Sequence, residues 1–304
     1  MAHITTHYDI AGPVPFLDVD VSVDNRIFLD PHAIRLQQSP EPYVSMANEA
    51  TESFFHRVSE CALSENALER RDGLHLLQRF VEPWETRLGL ARSGFSGHGG
   101  AEDVGRWIWD ALTEDVEALL RIGVLCQIED LPLFVEGIDR DITSDVTTRI
   151  VFEPLTMFTA EMVATYPQFT IGRNEVRAFE RQIWDSQQRM WRTKVVDLPV
   201  ADGKPLLLVP RGWARRNLLM SAARYYETSV LSYAQLEQAA VSSTGKLLKT
   251  PKDALKRQTV LTRGRSTNIR VTHRAHSNDE DLLAAFKRFV DAKYEGDAGV
   301  NPAA

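Results

Sequence analysis

The sequence predicts an α+β protein, predominantly α-helical with two short β-hairpins, and three observations carry that prediction. From Tyr43 to Ala62 the apolar residues Tyr43, Met46, Ala50, Phe54, Val58 and Cys61 recur every three or four positions, so they line one face of a helix. Leu17 to Asp24 instead alternates Leu17, Val19, Val21 and Val23 with Asp18, Asp20, Ser22 and Asp24, the period of a half-buried strand. Asp202-Gly203 lies between the apolar runs Lys194 to Val200 and Pro205 to Val209, and both residue types tolerate the positive φ of a type I′ turn.

In chain order, the alternating strand meets a turn at Asp24-Asn25, and Arg26 to Leu29 reads as its return, ending at Asp30-Pro31 where proline removes a ladder donor. The helix from Tyr43 follows. A second helical stretch, Leu74 to Val81, stops near Pro83, and Trp84 to Leu90 leads into the glycine-rich run Ser93 to Gly100. Helix is expected over Ala101 to Ile122. Another starts at an N-cap on Thr143 or Ser144 and runs towards Thr165, kinked by Pro154. Glu175 to Trp191 reads as helix, then comes the hairpin about Asp202-Gly203. Ala214 to Ala240 is again helical, with a short helix after Pro251. Ser277 and Glu280 form a capping box for the last helix.

At 304 residues and 43% hydrophobic content, the chain can bury a large core in one broad domain or two smaller ones. Charge suggests where a division falls. Lys204 to Arg274 holds 14 lysines and arginines against Glu227, Glu237 and Asp253, a net of +11, which leaves −18 for the remainder. We therefore expect an acidic, mostly helical domain over 1–203 and a basic helical region over 204–304. Apolar runs such as Leu206 to Val209 are far shorter than the roughly 20 residues that span a bilayer. Met1 to Ile10 lacks the order of a secretory signal, so a cytoplasmic protein without a membrane partner is expected. Cys61 and Cys126 have no Cys or His at metal-ligand spacing, and both are expected to be buried thiols.

Several groups of residues are candidates for chemistry. Gly97, His98, Gly99 and Gly100 precede a helix, where backbone amides can bind an anion, although no Gly-Lys-Ser/Thr ending makes this a Walker loop. A flexible loop is the competing reading. Glu85, Asp139, Asp141 and Asp145 supply hard oxygen ligands that can converge on Mg²⁺ or Mn²⁺ and activate water, as in a metal-dependent nuclease or phosphodiesterase. Against that, Asp, Ser and Thr at a helix start already serve capping and the helix dipole. Asp18, Asp20, Asp24 and Asp30 are most simply a solvated strand face. No Gly-x-Ser-x-Gly, His-Glu-x-x-His or Cys-x-x-Cys is present, which removes the commonest hydrolase, zincin and redox readings.

The basic run Lys246, Lys249, Lys252, Lys256, Arg257, Arg263 and Arg265 suits the phosphates of DNA or RNA. Few aromatic residues are interleaved, so base stacking is not indicated. The competing reading pairs this stretch with acidic surface, in the same fold, a partner protein or a homo-oligomer.

Four stretches carry a resemblance: Phe16-Leu-Asp-Val-Asp20 through Leu29-Asp-Pro31; Glu85 to Gly100; Leu131-Pro-Leu-Phe-Val-Glu-Gly-Ile138 with Ser144-Asp-Val-Thr-Thr-Arg-Ile-Val151; and Gly203-Lys-Pro-Leu-Leu-Leu-Val-Pro210. Together they resemble the N-terminal region of uncharacterised bacterial proteins whose longer members continue into a restriction-endonuclease-like domain. The resemblance runs from about Pro15 to Arg257 and includes no nuclease core, since only Gly-Lys-Pro and an apolar strand follow Asp197. It implies a mobile-element or antiviral defence context, with this chain as sensor, scaffold or nucleic-acid-binding module.

Overall fold

The computed structural model describes residues 2–90 and 101–298, and helices dominate it, with the strands confined to small antiparallel sheets. In chain order the helices are α1 (Ile4–Tyr8), α2 (Pro31–Leu36), α3 (Tyr43–Leu63), α4 (Ala67–Leu77), α5 (Ala101–Asp110), α6 (Glu117–Arg121) and α7 (Leu131–Phe134). They continue as α8 (Arg140–Ile150), α9 (Phe152–Thr165), α10 (Ala222–Tyr225), α11 (Leu231–Glu237), α12 (Lys252–Leu255), α13 (Arg265–His276) and α14 (Leu282–Ala298). The strands are β1 (Phe28–Leu29), β2 (Val176–Asp185), β3 (Met190–Ala201), β4 (Lys204–Pro205), β5 (Ala214–Arg215), β6 (Ala240–Val241) and β7 (Leu247–Leu248). The chain folds as two compact units. Unit 1 takes Met1–Asp110, Gln127–Glu129 and Ile138–Leu218, and unit 2 takes Ala111–Cys126, Asp130–Gly137 and Leu219–Ala304. The charge boundary at 203/204 lies inside unit 1, because Leu206, Leu207, Leu208 and Val209 all bury in the core of that unit.

In unit 1, α3 keeps the face expected of it, burying Tyr43, Ala50, Phe54, Val58 and Cys61, and both α3 and α9 pack against the long β2–β3 hairpin. That hairpin occupies the segment expected to be a helix over Glu175 to Trp191. Its apolar residues Val176, Phe179, Ile183 and Trp184 fit a helical repeat, but ten cross-strand pairs, from Val176↔Pro199 to Asp185↔Met190, fix it as a ribbon. Local chemistry explains the reversal: Asp185 Oδ1 accepts from the amides of Gln187 (2.9 Å) and Gln188 (2.8 Å), and Arg189 takes φ +53°. Trp184 and Trp191 then stack edge to face with Phe54, and their indoles donate to Ser53 Oγ and the Leu76 carbonyl. The Asp202-Gly203 turn forms as expected, with φ +51° and +73°, joining β3 to β4.

The N-terminal hairpin is absent. Asn25 instead donates from its amide to the carbonyls of Asp20, Val23 and Arg87, and β1 pairs with β5 rather than with the preceding segment. Asp20 is buried, its Oδ1 accepting from Ser22, and Asp30 is the buried N-cap of α2, so those two acids are not a solvated face. The helix expected from Thr143 or Ser144 starts one turn earlier on an Asp139 cap. It breaks at Val151, where Pro154 lacks the N–H that would bond to Ile150.

Unit 2 is helical around Tyr225, which is fully buried between Phe134 and Phe286, with its hydroxyl 2.6 Å from Thr272 Oγ1. Asn268 on α13 donates to the Leu133 carbonyl at 2.8 Å, holding α7 to a helix that was not expected within the basic stretch. The cap of α14 is Asp281, whose Oδ1 accepts from Ala284, and Ser277 instead ends α13. Cys61 is buried as expected, but Cys126 is exposed. No helix among the described residues is long and apolar enough to cross a membrane.

Candidate functional site

Three of the four carboxylates named from the sequence gather at the start of α8, and the fourth is held elsewhere. Asp139 is the N-cap, its Oδ1 accepting from Asp141 N (3.0 Å) and Ile142 N (3.2 Å). Asp141 is buried and its Oδ1 accepts from Leu90 N at 3.1 Å; a Cβ on Gly89 would lie as close to that oxygen, and φ of +122° there favours glycine independently. Asp145, one turn on and 6% exposed, makes no side-chain hydrogen bond to a described residue. Burial first, and then the charges of Asp141 and Glu82, push its carboxyl up to about 8, against the pull of Arg149. Burial, and then the charges of Asp24 and Asp141, raise Glu82 as well.

Glu85 does not join them. It is 1% exposed, with Oε2 3.2 Å from the Arg149 guanidinium and Oε1 2.7 Å from Arg181 Nε, so its charge is satisfied by two arginines. Arg149 also donates to the carbonyls of Val81 and Glu82, which ties the 81–86 segment to α8. The partner of Asp145 that sequence reasoning missed is therefore Glu82. Its only local sign is a second acid three residues before Glu85. Among the described residues, no group of three or more His, Cys, Asp or Glu is arranged to hold a metal ion. Gly97, His98, Gly99 and Gly100 lie outside the described residues.

Close by, a cleft of about 610 Å³ opens between Val21–Asp24, Trp84 and the Asp202–Lys204 turn. Arg87 builds its walls, donating to the carbonyls of Val21 (2.9 Å), Trp84 (2.7 Å) and Ala201 (3.4 Å). Burial lowers its pKa, and Glu85, Asp24 and Asp202 oppose that. All three of these hydrogen bonds go to backbone, which makes it a structural clamp.

The basic stretch divides sharply. Lys252 Nζ donates to the Glu227 carbonyl at 2.5 Å, Lys256 pairs with Glu227 (2.9 Å) and Asp253 (3.7 Å), and Arg265 pairs with Glu136 at 3.2 Å. Arg270 donates to the Val260 carbonyl, and Arg274 grips both oxygens of Glu237 at 2.7 and 2.6 Å. Lys246, Lys249, Arg257 and Arg263 are exposed, and their side chains make neither hydrogen bond nor ion pair with a described residue. Lys246 and Lys249 bracket β7. Arg257 is brought to the root of the β6–β7 hairpin by reciprocal amide bonds between Gln238 and Gln258 at 2.9 and 3.0 Å. Arg263 lies in the turn before α13.

A family model described as a domain of unknown function (DUF8370) matches residues 11–221. No curated protein and no solved structure matches the chain. The four unpaired cations all lie beyond the matched residues.

Proposed function

The chain belongs to the DUF8370 family, whose description names no activity, and we propose that it is a nucleic-acid-associated component of a bacterial antiviral defence system. One observation carries this reading: Lys246, Lys249, Arg257 and Arg263 stay exposed and unpaired on one stretch of unit 2, while neighbouring cations are consumed by acids and carbonyls. A cation without a protein partner is free to displace counterions from a phosphate backbone. The defence context is supported by the resemblance of the four quoted stretches.

The test is a titration into labelled single-stranded DNA, duplex DNA and RNA at two salt concentrations. Four phosphate contacts give a slope of roughly −3.6 in log K against log salt, a loss of about a hundredfold between 50 and 200 mM. Reversing Lys246, Lys249, Arg257 and Arg263 to Glu is expected to abolish binding, while Arg274→Gln leaves the slope unchanged. Salt-independent binding, or equal loss from both variants, would sink the reading.

A catalytic alternative is favoured by Asp145. A carboxyl that stays protonated near neutrality can donate a proton to a leaving group, and Asp141 and Glu82 lie close enough to bias that proton. Cleavage of labelled DNA or RNA, with Mg²⁺, Mn²⁺ or chelator, is expected to disappear in Asp145→Asn under this reading. Unchanged cleavage in that variant removes it.

A further inference from the structure

We propose that the β6–β7 hairpin enters the major groove of duplex DNA, with Lys246 and Lys249 on the phosphates and the face that carries Val241 and Leu247 on the base edges. This rests on the nucleic-acid reading above and names its substrate. The hairpin is closed by a tight loop, in which Ser242 N donates to the Lys246 carbonyl (2.9 Å) and Lys246 N to Ser242 Oγ (3.0 Å), with Gly245 at φ +78°. Its root is tied down by Gln235, which donates to the Thr250 carbonyl at 2.8 Å.

The side chains contradict a purely solvent-facing role. Val241 is 70% exposed, Leu247 46% and Leu248 53%. Val241 stands directly opposite Leu247 and so shares its face, while Leu248 stands opposite Ala240 on the other. Apolar side chains are thus exposed on both faces of a ribbon whose second strand is bracketed by two free lysines. An apolar centre between cationic flanks complements a groove, which has base edges as its floor and phosphates as its walls.

Chemistry narrows the occupant. No aromatic residue lies between Ala240 and Thr250, so neither stacking on single strands nor the aromatic anchoring typical of membrane interfaces is provided for. The major groove of duplex RNA is too deep and narrow for side chains to read. The major groove of B-DNA, about 12 Å wide, admits a two-stranded ribbon, whose strands lie about 4.8 Å apart. There the aliphatic side chains meet the C5-methyl groups of thymine.

Removing those methyl groups tests the assignment without altering the protein. Anisotropy titrations would use an A·T-rich DNA duplex, the same duplex with deoxyuridine in place of thymidine, the matching RNA duplex, and anionic phospholipid vesicles. Deoxyuridine is expected to weaken binding about fourfold for each methyl contacted. The triple variant Val241→Ser, Leu247→Ser, Leu248→Ser is expected to bind both DNA duplexes equally, and the RNA duplex is expected to bind more weakly than thymidine DNA. If thymidine and deoxyuridine duplexes bind alike with a steep salt slope, the groove assignment falls while phosphate binding stands. If no nucleic acid binds at low salt, both fall. Vesicle binding lost in the triple variant, with no methyl dependence, would reassign the hairpin to a lipid surface.

Discussion

In unit 1, Arg87, Arg149 and Arg181 spend their guanidinium groups inside the fold, on the carbonyls of Val21, Trp84 and Ala201 and on the buried carboxylate of Glu85. In unit 2, Lys246, Lys249, Arg257 and Arg263 face solvent with no partner among the described residues. The residue types are alike but their energetic positions are opposite. A buried, paired arginine resists removal because its carboxylate would be left desolvated, whereas an exposed lysine holds nothing in place and is available to a ligand.

The strongest way to break this contrast is at Arg149. Arg149→Met leaves Glu85, 1% exposed, with Arg181 alone, and strips the Val81 and Glu82 carbonyls of their donor. A loss of about 3–5 kcal/mol in urea unfolding is expected. A loss below about 1 kcal/mol would mean that the Glu85 cluster does not hold unit 1 together.

Acidity gives the next largest effect. The Asp145 carboxyl is held at about 8 when folded and falls to the ordinary carboxylate range, about 3.9, on unfolding. Between those values the folded state binds the extra proton. Its contribution to stability is therefore complete below about pH 4 and is lost as pH rises through about 8, by up to about 1.4 kcal/mol per pH unit. Glu82 shifts in the same direction. Asp145→Asn is expected to flatten this dependence and to raise the urea midpoint at pH 8. An unchanged pH profile in that variant would show that Asp145 is not protonated in the fold.

Much of this arrangement was readable in the residue order, and what was not has identifiable causes. The helix from Tyr43 and the Asp202-Gly203 turn are local patterns, and both formed. The β2–β3 ribbon was hidden because Val176, Phe179, Ile183 and Trp184 satisfy a helical spacing, and only the Asp185 to Arg189 turn chemistry argues for reversal. A cap near the start of α8 was visible from residue type, although it falls on Asp139 and not on Thr143 or Ser144. The raised pKa of Asp145 was not visible, since it comes from burial in unit 1 and from charges that include Glu82, 63 residues away. The division of the basic stretch was equally hidden. Glu136 reaches Arg265 across 129 residues and Glu237 reaches Arg274 across 37, and no local spacing announces either pairing.

That division yields the smallest stability effect and the sharpest test of the contrast. Arg274→Gln removes a two-pronged but half-exposed ion pair and is expected to cost about 0.5 kcal/mol. Lys249→Gln and Arg257→Gln remove nothing that the fold uses, so their urea midpoints should coincide with that of the unaltered protein. Binding should rank these variants in reverse, because only the second pair gives up phosphate contacts, each worth about 0.9 in the salt slope. Charge that stabilises and charge that binds would then be separated within one stretch of sequence. Coincident effects on stability and binding would instead show that the exposed cations serve the fold through contacts formed in solution.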